Sequence, residues 1–268
     1  MGNLQFEGKW VLVTGASSGL GHEMAKQLAA NYRANLILVA RRREKLETLK
    51  AEIESKTSSE VLLIIADLSN HEEIKNVLHI CLQKPGFYAA ILNAGVTYFG
   101  VHTQLAWEQF EQMLKTNVVS IVQMTNRLTT YFDQPGKEGG VMIVSSMAAK
   151  WPVPYQAAYS GTKGFLYNFT LALSQELENP HYSLTVFMPG GIATEMTNTE
   201  SFSSLSSYLM PVKQVAKEGL YAFKKRKLSY IPGFFNRLSG VFSPFIPSAF
   251  VLRQMKKVYK NALFKKAH

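Results

Sequence analysis

Apolar residues fall along this chain in two alternating rhythms. Short apolar runs of strand length, at 10–14, 35–39, 61–66, 88–93, 141–145 and 184–189, are separated by longer stretches whose apolar residues recur at helical spacing. A seventh run, 229–231, is short. The helical stretches start near Gly19, Arg43, His71, Leu105 and Tyr155, and another covers 212–224 after an irregular segment at 195–210. Strand-length runs alternating with amphipathic helices predict an α/β fold in which a parallel sheet of about seven strands is flanked by crossover helices. No internal repeat, low-complexity linker or abrupt boundary breaks the pattern, so one domain over 1–233 is expected, followed by an extension over 234–268.

Composition narrows the class without naming a function. An apolar fraction of 47% with 18% charged residues places the chain among folded globular proteins rather than disordered ones. The net charge of +10 would suggest a polyanion partner if it were spread evenly, but it is not. Glu218 is the last acidic residue and eleven of the 29 basic residues follow it, leaving 18 basic against 19 acidic over residues 1–218. The basic character belongs to the end of the sequence, and nucleic acid is not an expected partner. The polar start from Met1 to Lys9 has no apolar core of a signal peptide, and Phe6 stands where a myristoylation signal has Ser or Thr. The single cysteine, Cys81, rules out an internal disulfide and predicts a reducing, cytoplasmic setting.

Two local patterns carry chemistry. The first apolar run leads into Thr14-Gly15-Ala16-Ser17-Ser18-Gly19-Leu20-Gly21. Glycines there permit a tight strand-to-helix turn and close backbone approach to a pyrophosphate, while the following helix points its N–H groups and positive dipole end at the phosphates. This predicts a Rossmann-type, doubly wound dinucleotide site built on Gly15, Ser17, Ser18, Gly19, Leu20 and Gly21. An NAD site carries an acidic residue near the end of the second strand; here Val39-Ala40 is followed by Arg41-Arg42-Arg43. Guanidinium groups suit a 2′-phosphate, so NADP(H) is the expected cofactor, held first by Arg41 and then by Arg42. The second pattern is Tyr159-Ser160-Gly161-Thr162-Lys163. On a helix the Tyr159 hydroxyl and the Lys163 ammonium share a face, and a neighbouring cation favours the phenolate, so Lys163 is expected to lower the Tyr159 pKa. Tyr-x-x-x-Lys arises by chance in many helices and carries weight only in company.

That company is present, and with it the chain resembles the short-chain dehydrogenase/reductase family from Lys9 to about Thr194, and more loosely to Gly233. The resemblance rests on Thr14–Gly21, on Asp67-Leu68 at the end of the third run, and on Asn93-Ala94-Gly95 after the fourth, where Leu92 departs from the family's Asn. It rests also on Asn117 in Lys115-Thr116-Asn117-Val118, on Ser146 thirteen residues before Tyr159, and on Pro189-Gly190-Gly191-Ile192-Ala193-Thr194. It implies that Asp67 and Leu68 contact the adenine, that Asn93, Ala94 and Gly95 border the cofactor, and that Pro189, Gly190, Ile192 and Thr194 embrace the nicotinamide carboxamide and pyrophosphate. It implies a catalytic set of Asn117, Ser146, Tyr159 and Lys163, with Lys163 also on the nicotinamide ribose and Asn117 holding a water that reconnects Lys163 to solvent. No metal is implied. Relatives commonly assemble as dimers or tetramers through the helices that here start near Leu105 and Tyr155.

Substrate choice is expected to lie in the loop 147–155 and in a segment offering Met196, Phe202, Leu205, Tyr208, Leu209 and Met210. Their apolar character suggests a lipophilic carbonyl or alcohol such as a steroid, a 3-oxoacyl chain or an aromatic ketone. The extension is rich in Phe and Pro, and from Val251 its apolar residues recur at helical spacing with Arg253, Lys256, Lys257 and Lys260 largely on the other face. Two roles are expected for it: folding over the substrate cleft or onto a subunit, or lying peripherally on an anionic membrane. Two function classes follow, an NADP(H)-dependent carbonyl reductase or alcohol dehydrogenase, and a non-catalytic NADP-binding regulator that keeps the fold.

Overall fold

The computed structural model describes residues 2–195, 209–242 and 247–264. Its strands are β1 (Trp10–Thr14), β2 (Asn35–Ala40), β3 (Val61–Ile65), β4 (Phe87–Leu92), β5 (Gly139–Val144), β6 (Tyr182–Phe187) and β7 (Ser229–Tyr230). They form one parallel sheet in the order β3-β2-β1-β4-β5-β6-β7. Helices α1 (Gly19–Tyr32), α2 (Arg43–Lys56), α3 (His71–Gln83), α4 (Trp107–Leu114), α5 (Ser120–Phe132), α6 (Ala157–Leu173) and α7 (Val212–Lys224) supply the crossovers. Two further helices, α8 (Phe234–Phe242) and α9 (Ser248–Phe264), follow the last strand. Among the described residues no helix is long and apolar enough to cross a membrane.

The period of two in each strand builds a layer on either side of the sheet. Val11, Val13, Leu36 and Leu38 pack against Met24 and Leu28 of α1, Leu46 of α2 and Leu220 of α7. The intervening Leu12, Ile37 and Val39 face Val77 and Cys81 of α3 and Met124 and Leu128 of α5. Strands covered on both faces are buried throughout, which is why their sequences read as unbroken apolar runs. The order reverses between β1 and β4, and in such sheets the crevice beyond the carboxyl ends of those strands receives the ligand.

The element starts shift in places for identifiable reasons. β5 begins at Gly139 rather than at residue 141. Glycine lowers strand propensity, yet a Cβ at Gly139 would collide with the Tyr88 carbonyl and the Phe132 ring, so close strand approach selects it. α4 and α6 start two residues later than expected, at Trp107 and Ala157. Ahead of α6, Tyr155 holds a left-handed backbone (φ 68°) while its carbonyl accepts the Gly100 N–H at 2.9 Å. Of the substrate-segment residues named above, Met196, Phe202, Leu205 and Tyr208 lie outside the described residues.

Candidate active site

A cleft of about 890 Å³ opens over the carboxyl ends of β1, β4 and β5. Its first wall is the turn between β1 and α1. Gly15 (φ 67°) and Gly19 (φ 59°) take left-handed backbone that a side chain would strain, and this turns the chain tightly into the α1 N-terminus. Thr14 fastens the turn to β4, accepting the N–H groups of Asn93 (2.9 Å) and Ala94 (3.0 Å) on its hydroxyl. The Asn93 amide donates back to the Thr14 carbonyl at 3.1 Å. A Cβ on Gly21 would meet Gly15 and Asn93, so this glycine serves close packing of α1 beneath the turn.

Basic and acidic groups border that wall. Arg42 spans from the end of β2 to the turn, donating to Ser17 Oγ (3.1 and 3.0 Å) and Ser18 Oγ (2.5 Å) and pairing with Glu195 at 2.9 Å. Lys45 also pairs with Glu195. Arg41 stands exposed on the rim, its Nη1 3.8 Å from Asp67 Oδ2. The other Asp67 oxygen accepts the Ser69 N–H and hydroxyl, both at 2.9 Å, which fixes the carboxylate beside Leu68. Open glycine turn, helix N-terminus, flanking arginines and a long cleft together fit an anionic dinucleotide.

The floor is formed by Ser146, Tyr159 and Lys163. Ser146 caps the short turn after β5, accepting the Ala148 N–H at 3.1 Å and donating to the Pro189 carbonyl at 3.4 Å, and lines the cleft with Tyr159. Its neighbour Ser145 turns away and donates to the Lys163 carbonyl at 2.7 Å, so geometry separates two serines that sequence spacing alone distinguished. Lys163 is 4% exposed, donates to the Val144 carbonyl at 3.0 Å and lies 5.7 Å from the Tyr159 ring centroid. Burial pulls its pKa down to about 8. For Tyr159 the expected downward shift is corrected. Burial pushes the phenol up, and only the neighbouring Ser146 hydroxyl works against this, because the lysine addresses a backbone carbonyl and the ring rather than the hydroxyl.

Asn117 sits in a widened π-helical turn, Lys115–Val119, between α4 and α5. Such turns re-aim a side chain out of the regular helical register. Its amide accepts the Val96 N–H (2.8 Å) and donates to the Val96 carbonyl (2.9 Å) and Thr162 Oγ1 (3.1 Å), tying the loop after β4 to α6. The side chain is thus committed to the scaffold.

The roof comes from the two last helices. Asn236 and Ser239 of α8, and Val251, Gln254, Met255, Val258 and Tyr259 of α9, line the cleft. Tyr259 packs edge-on against Phe99 (5.9 Å between centroids), and Phe264 against Tyr155 (6.2 Å). A polar cluster anchors α8: Glu218 Oε2 accepts from Arg237 (2.8 Å), the Gly233 N–H (3.0 Å) and the Tyr230 hydroxyl (3.2 Å). Burial pushes the Glu218 carboxyl up, but bonds from Gly233, Arg237, Gln214 and Tyr230 outweigh it and hold the pKa below the ordinary 4.5.

The fold therefore brings every catalytic and cofactor-binding residue proposed from the sequence to this cleft except Gly21 and Asn117, which brace it from behind; of the described residues of the substrate segment, Leu209 lines the cleft and Met210 does not. Sequence reading missed Thr14 as a fastener, Gln156, which donates to Thr97 Oγ1 at 3.0 Å, and Asn236 in the roof. Only Thr14 left a signal, being the residue that opens the glycine turn.

Comparisons with known proteins agree with this geometry. The short chain dehydrogenase family profile matches residues 9–203. The chain is similar to mouse (Mus musculus) 17-beta-hydroxysteroid dehydrogenase type 3, 33% identical over 72% of this chain and 63% of that protein. It is also similar to inactive hydroxysteroid dehydrogenase-like protein 1 of Pongo abelii, 29% identical over 78% of this chain and 63% of that protein. The matches thus span less than two thirds of these relatives' length. Among solved structures, a short-chain dehydrogenase from Sphingobium yanoikuyae in complex with NADPH superposes with a TM-score of 0.79 at 24% identity, covering 88% of this chain and 94% of that one. With its parallel sheet, its glycine turn and more than half of its length within the family profile, the chain belongs to the short-chain dehydrogenase family.

Proposed function

We propose that the protein is an NADP(H)-dependent oxidoreductase interconverting a lipophilic carbonyl compound and its alcohol. The observation that carries this is the gathering of Ser146, Tyr159 and Lys163 at the floor of one cleft, with the Lys163 ammonium 5.7 Å from the Tyr159 ring centroid. Gly15, Ser17, Ser18, Gly19 and Leu20 would hold the pyrophosphate, Arg41 and Arg42 the 2′-phosphate, and Asp67 and Leu68 the adenine side. Asn93, Ala94, Gly95, Pro189, Gly190, Ile192 and Thr194 would border the nicotinamide half. Bound NADPH supplies a hydride. Negative charge develops on the carbonyl oxygen as the reduction proceeds; Tyr159 gives it the phenolic proton and Ser146 donates a hydrogen bond to the same oxygen. A raised phenol pKa keeps Tyr159 protonated and ready to donate at neutral pH. Lys163, with a pKa near neutrality, is suited to return a proton from solvent. Because the Asn117 amide is engaged, a relay water there would rest on backbone of the π-turn.

A lipophilic substrate follows from the roof, where Val251, Met255, Val258 and Tyr259 face the cleft. The extension over 234–268 acts, in this reading, as a lid on the domain over 1–233. We place the chain in a reducing, cytoplasmic setting, with Cys81 buried, and read its assembly as a homodimer or homotetramer. Exposed Trp107 and Phe165 on α4 and α6 offer apolar surface for that contact, which light scattering would detect. Similarity to a relative named inactive keeps a second reading, a non-catalytic NADP-binding regulator. A panel of lipophilic ketones with NADPH, followed by nicotinamide absorbance, tests the proposal. Turnover that disappears in Tyr159→Phe while NADPH binding persists supports the enzyme; NADPH binding with no turnover on any member supports the regulator.

A further inference from the structure

The roof helices have two faces, and the cleft accounts for only one. On α8 Asn236 and Ser239 line the cleft, while Phe234 and Leu238, four residues apart on one face, and the adjoining Phe235 are turned to solvent. Those three are 66%, 82% and 45% exposed. On α9 the inward row Val251, Met255, Tyr259 and Ala262 repeats at three and four residues. The opposite side carries exposed Arg253, Lys256, Lys257 and Lys260, beside an exposed Phe250. The apolar row that made α9 look able to lie on a membrane is therefore turned into the protein. What the roof shows outward is a different set: aromatic rings on α8 and at the start of α9, and a field of cations along the rest of α9.

Charge says what this surface meets. No acidic residue follows Glu218, and Glu218 is engaged by Arg237 beneath α8. Among the described residues no carboxylate lies within ion-pair distance of the four outward cations of α9. A second copy of this chain seated symmetrically on the roof would set these cations against their own kind. Rings that leave water together with cations that find anions match the boundary region of a bilayer bearing anionic headgroups. We propose that the outer surface of the roof, anchored by Phe234 and Phe235 and attracted by the α9 cations, docks the protein on an anionic lipid bilayer. Docked this way, the cleft beneath the roof lies next to the phase in which lipophilic molecules dissolve. That last consequence rests on the substrate class proposed above; the docking does not.

The test is flotation of the purified full chain with two kinds of vesicle, pure phosphatidylcholine and phosphatidylcholine with about a third phosphatidylserine. Phe234→Ser/Phe235→Ser and Lys256→Ala/Lys257→Ala are compared with the parent chain, and NADPH titration checks that each variant is folded. None of the four side chains lines the cleft, so cofactor binding should be unchanged. The parent should float with the anionic vesicles at low salt and be released by high salt. Removing each cation should weaken binding roughly fivefold, and the double phenylalanine variant should weaken it at least about tenfold. Absence of flotation with anionic vesicles at low salt overturns the proposal, as does flotation undiminished in the phenylalanine variant. If that variant instead lowers the mass seen by light scattering and leaves flotation intact, the rings belong to a subunit contact and the proposal fails. Vesicle binding is read without any substrate, so its failure is separable from failure of the enzymatic reading.

Discussion

Burying an ammonium has a cost that can be measured at Lys163. Its pKa falls from an ordinary 10.5 to about 8 because the charged form is desolvated. That depression corresponds to about 3 kcal/mol of stability missing wherever the lysine is charged in the folded chain. Between about pH 8 and pH 10.5 the unfolded chain binds a proton here that the folded chain does not, so stability rises with pH across this window. Below about pH 8 the full penalty applies. Lys163→Met keeps the length and removes the charge, at the expense of the hydrogen bond to Val144, worth about 1 kcal/mol net. The cofactor-free variant should therefore be more stable than the parent by about 2 kcal/mol at pH 7, while losing turnover. By pH 9.5 about 2 kcal/mol of the parent's penalty is relieved, and the two proteins should converge. Urea unfolding at both pH values gives the comparison, and tyrosine titration common to both chains cancels. Equal pH slopes in the two proteins, or a variant less stable at pH 7 by more than about 1 kcal/mol, would refute burial as the controlling effect.

Two other outcomes follow from the rim and the roof. Arg41→Ala should weaken NADPH by about 1–3 kcal/mol through loss of a charge-assisted bond and leave NADH little changed; Arg42→Ala should weaken both, since Arg42 also holds Ser17 and Ser18 of the turn. Fluorescence titration of both cofactors separates them, and equal losses in Arg41→Ala would count against a 2′-phosphate contact. The Glu218 carboxyl, held below 4.5, contributes stability that is present above that pH and lost as pH falls through its folded value. Hydrogen exchange should show α8 loosening in mild acid before the sheet does, and Glu218→Gln should remove that acid dependence; simultaneous exchange of α8 and sheet would sink the assignment.

The sheet was legible because strands covered on both faces leave unbroken apolar runs, and the turn from Thr14 to Gly21 was legible because backbone geometry there excludes side chains. Ser146 was read from its spacing to Tyr159, and the bond from Ser145 to the Lys163 carbonyl explains why its neighbour stands apart. Three things escaped for physical reasons. The Tyr159 shift was read backwards because a helical spacing of four gives proximity without the direction of the ammonium or the depth of burial. The tie from Arg42 to Ser17 and Ser18 was not foreseen, because partners 25 and 24 positions apart leave no local pattern. Asn236 was invisible because its place at the cleft depends on the Glu218–Arg237 anchor, a contact across 19 residues with no local pattern.

The position of the roof has a consequence for variation. The groups proposed to handle proton and dinucleotide all come before residue 196, while the cleft-facing roof comes after residue 233. The two stretches touch through ring contacts of Tyr259 on Phe99 and Phe264 on Tyr155, while Arg237 of α8 is anchored on Glu218 of the intervening α7. A substitution at Val251, Met255 or Val258 would reshape the space offered to a molecule without touching Ser146, Tyr159 or Lys163. Under the proposed reading, selection or an engineer could thus alter what the protein accepts and leave the proposed reaction unchanged, one helix face at a time.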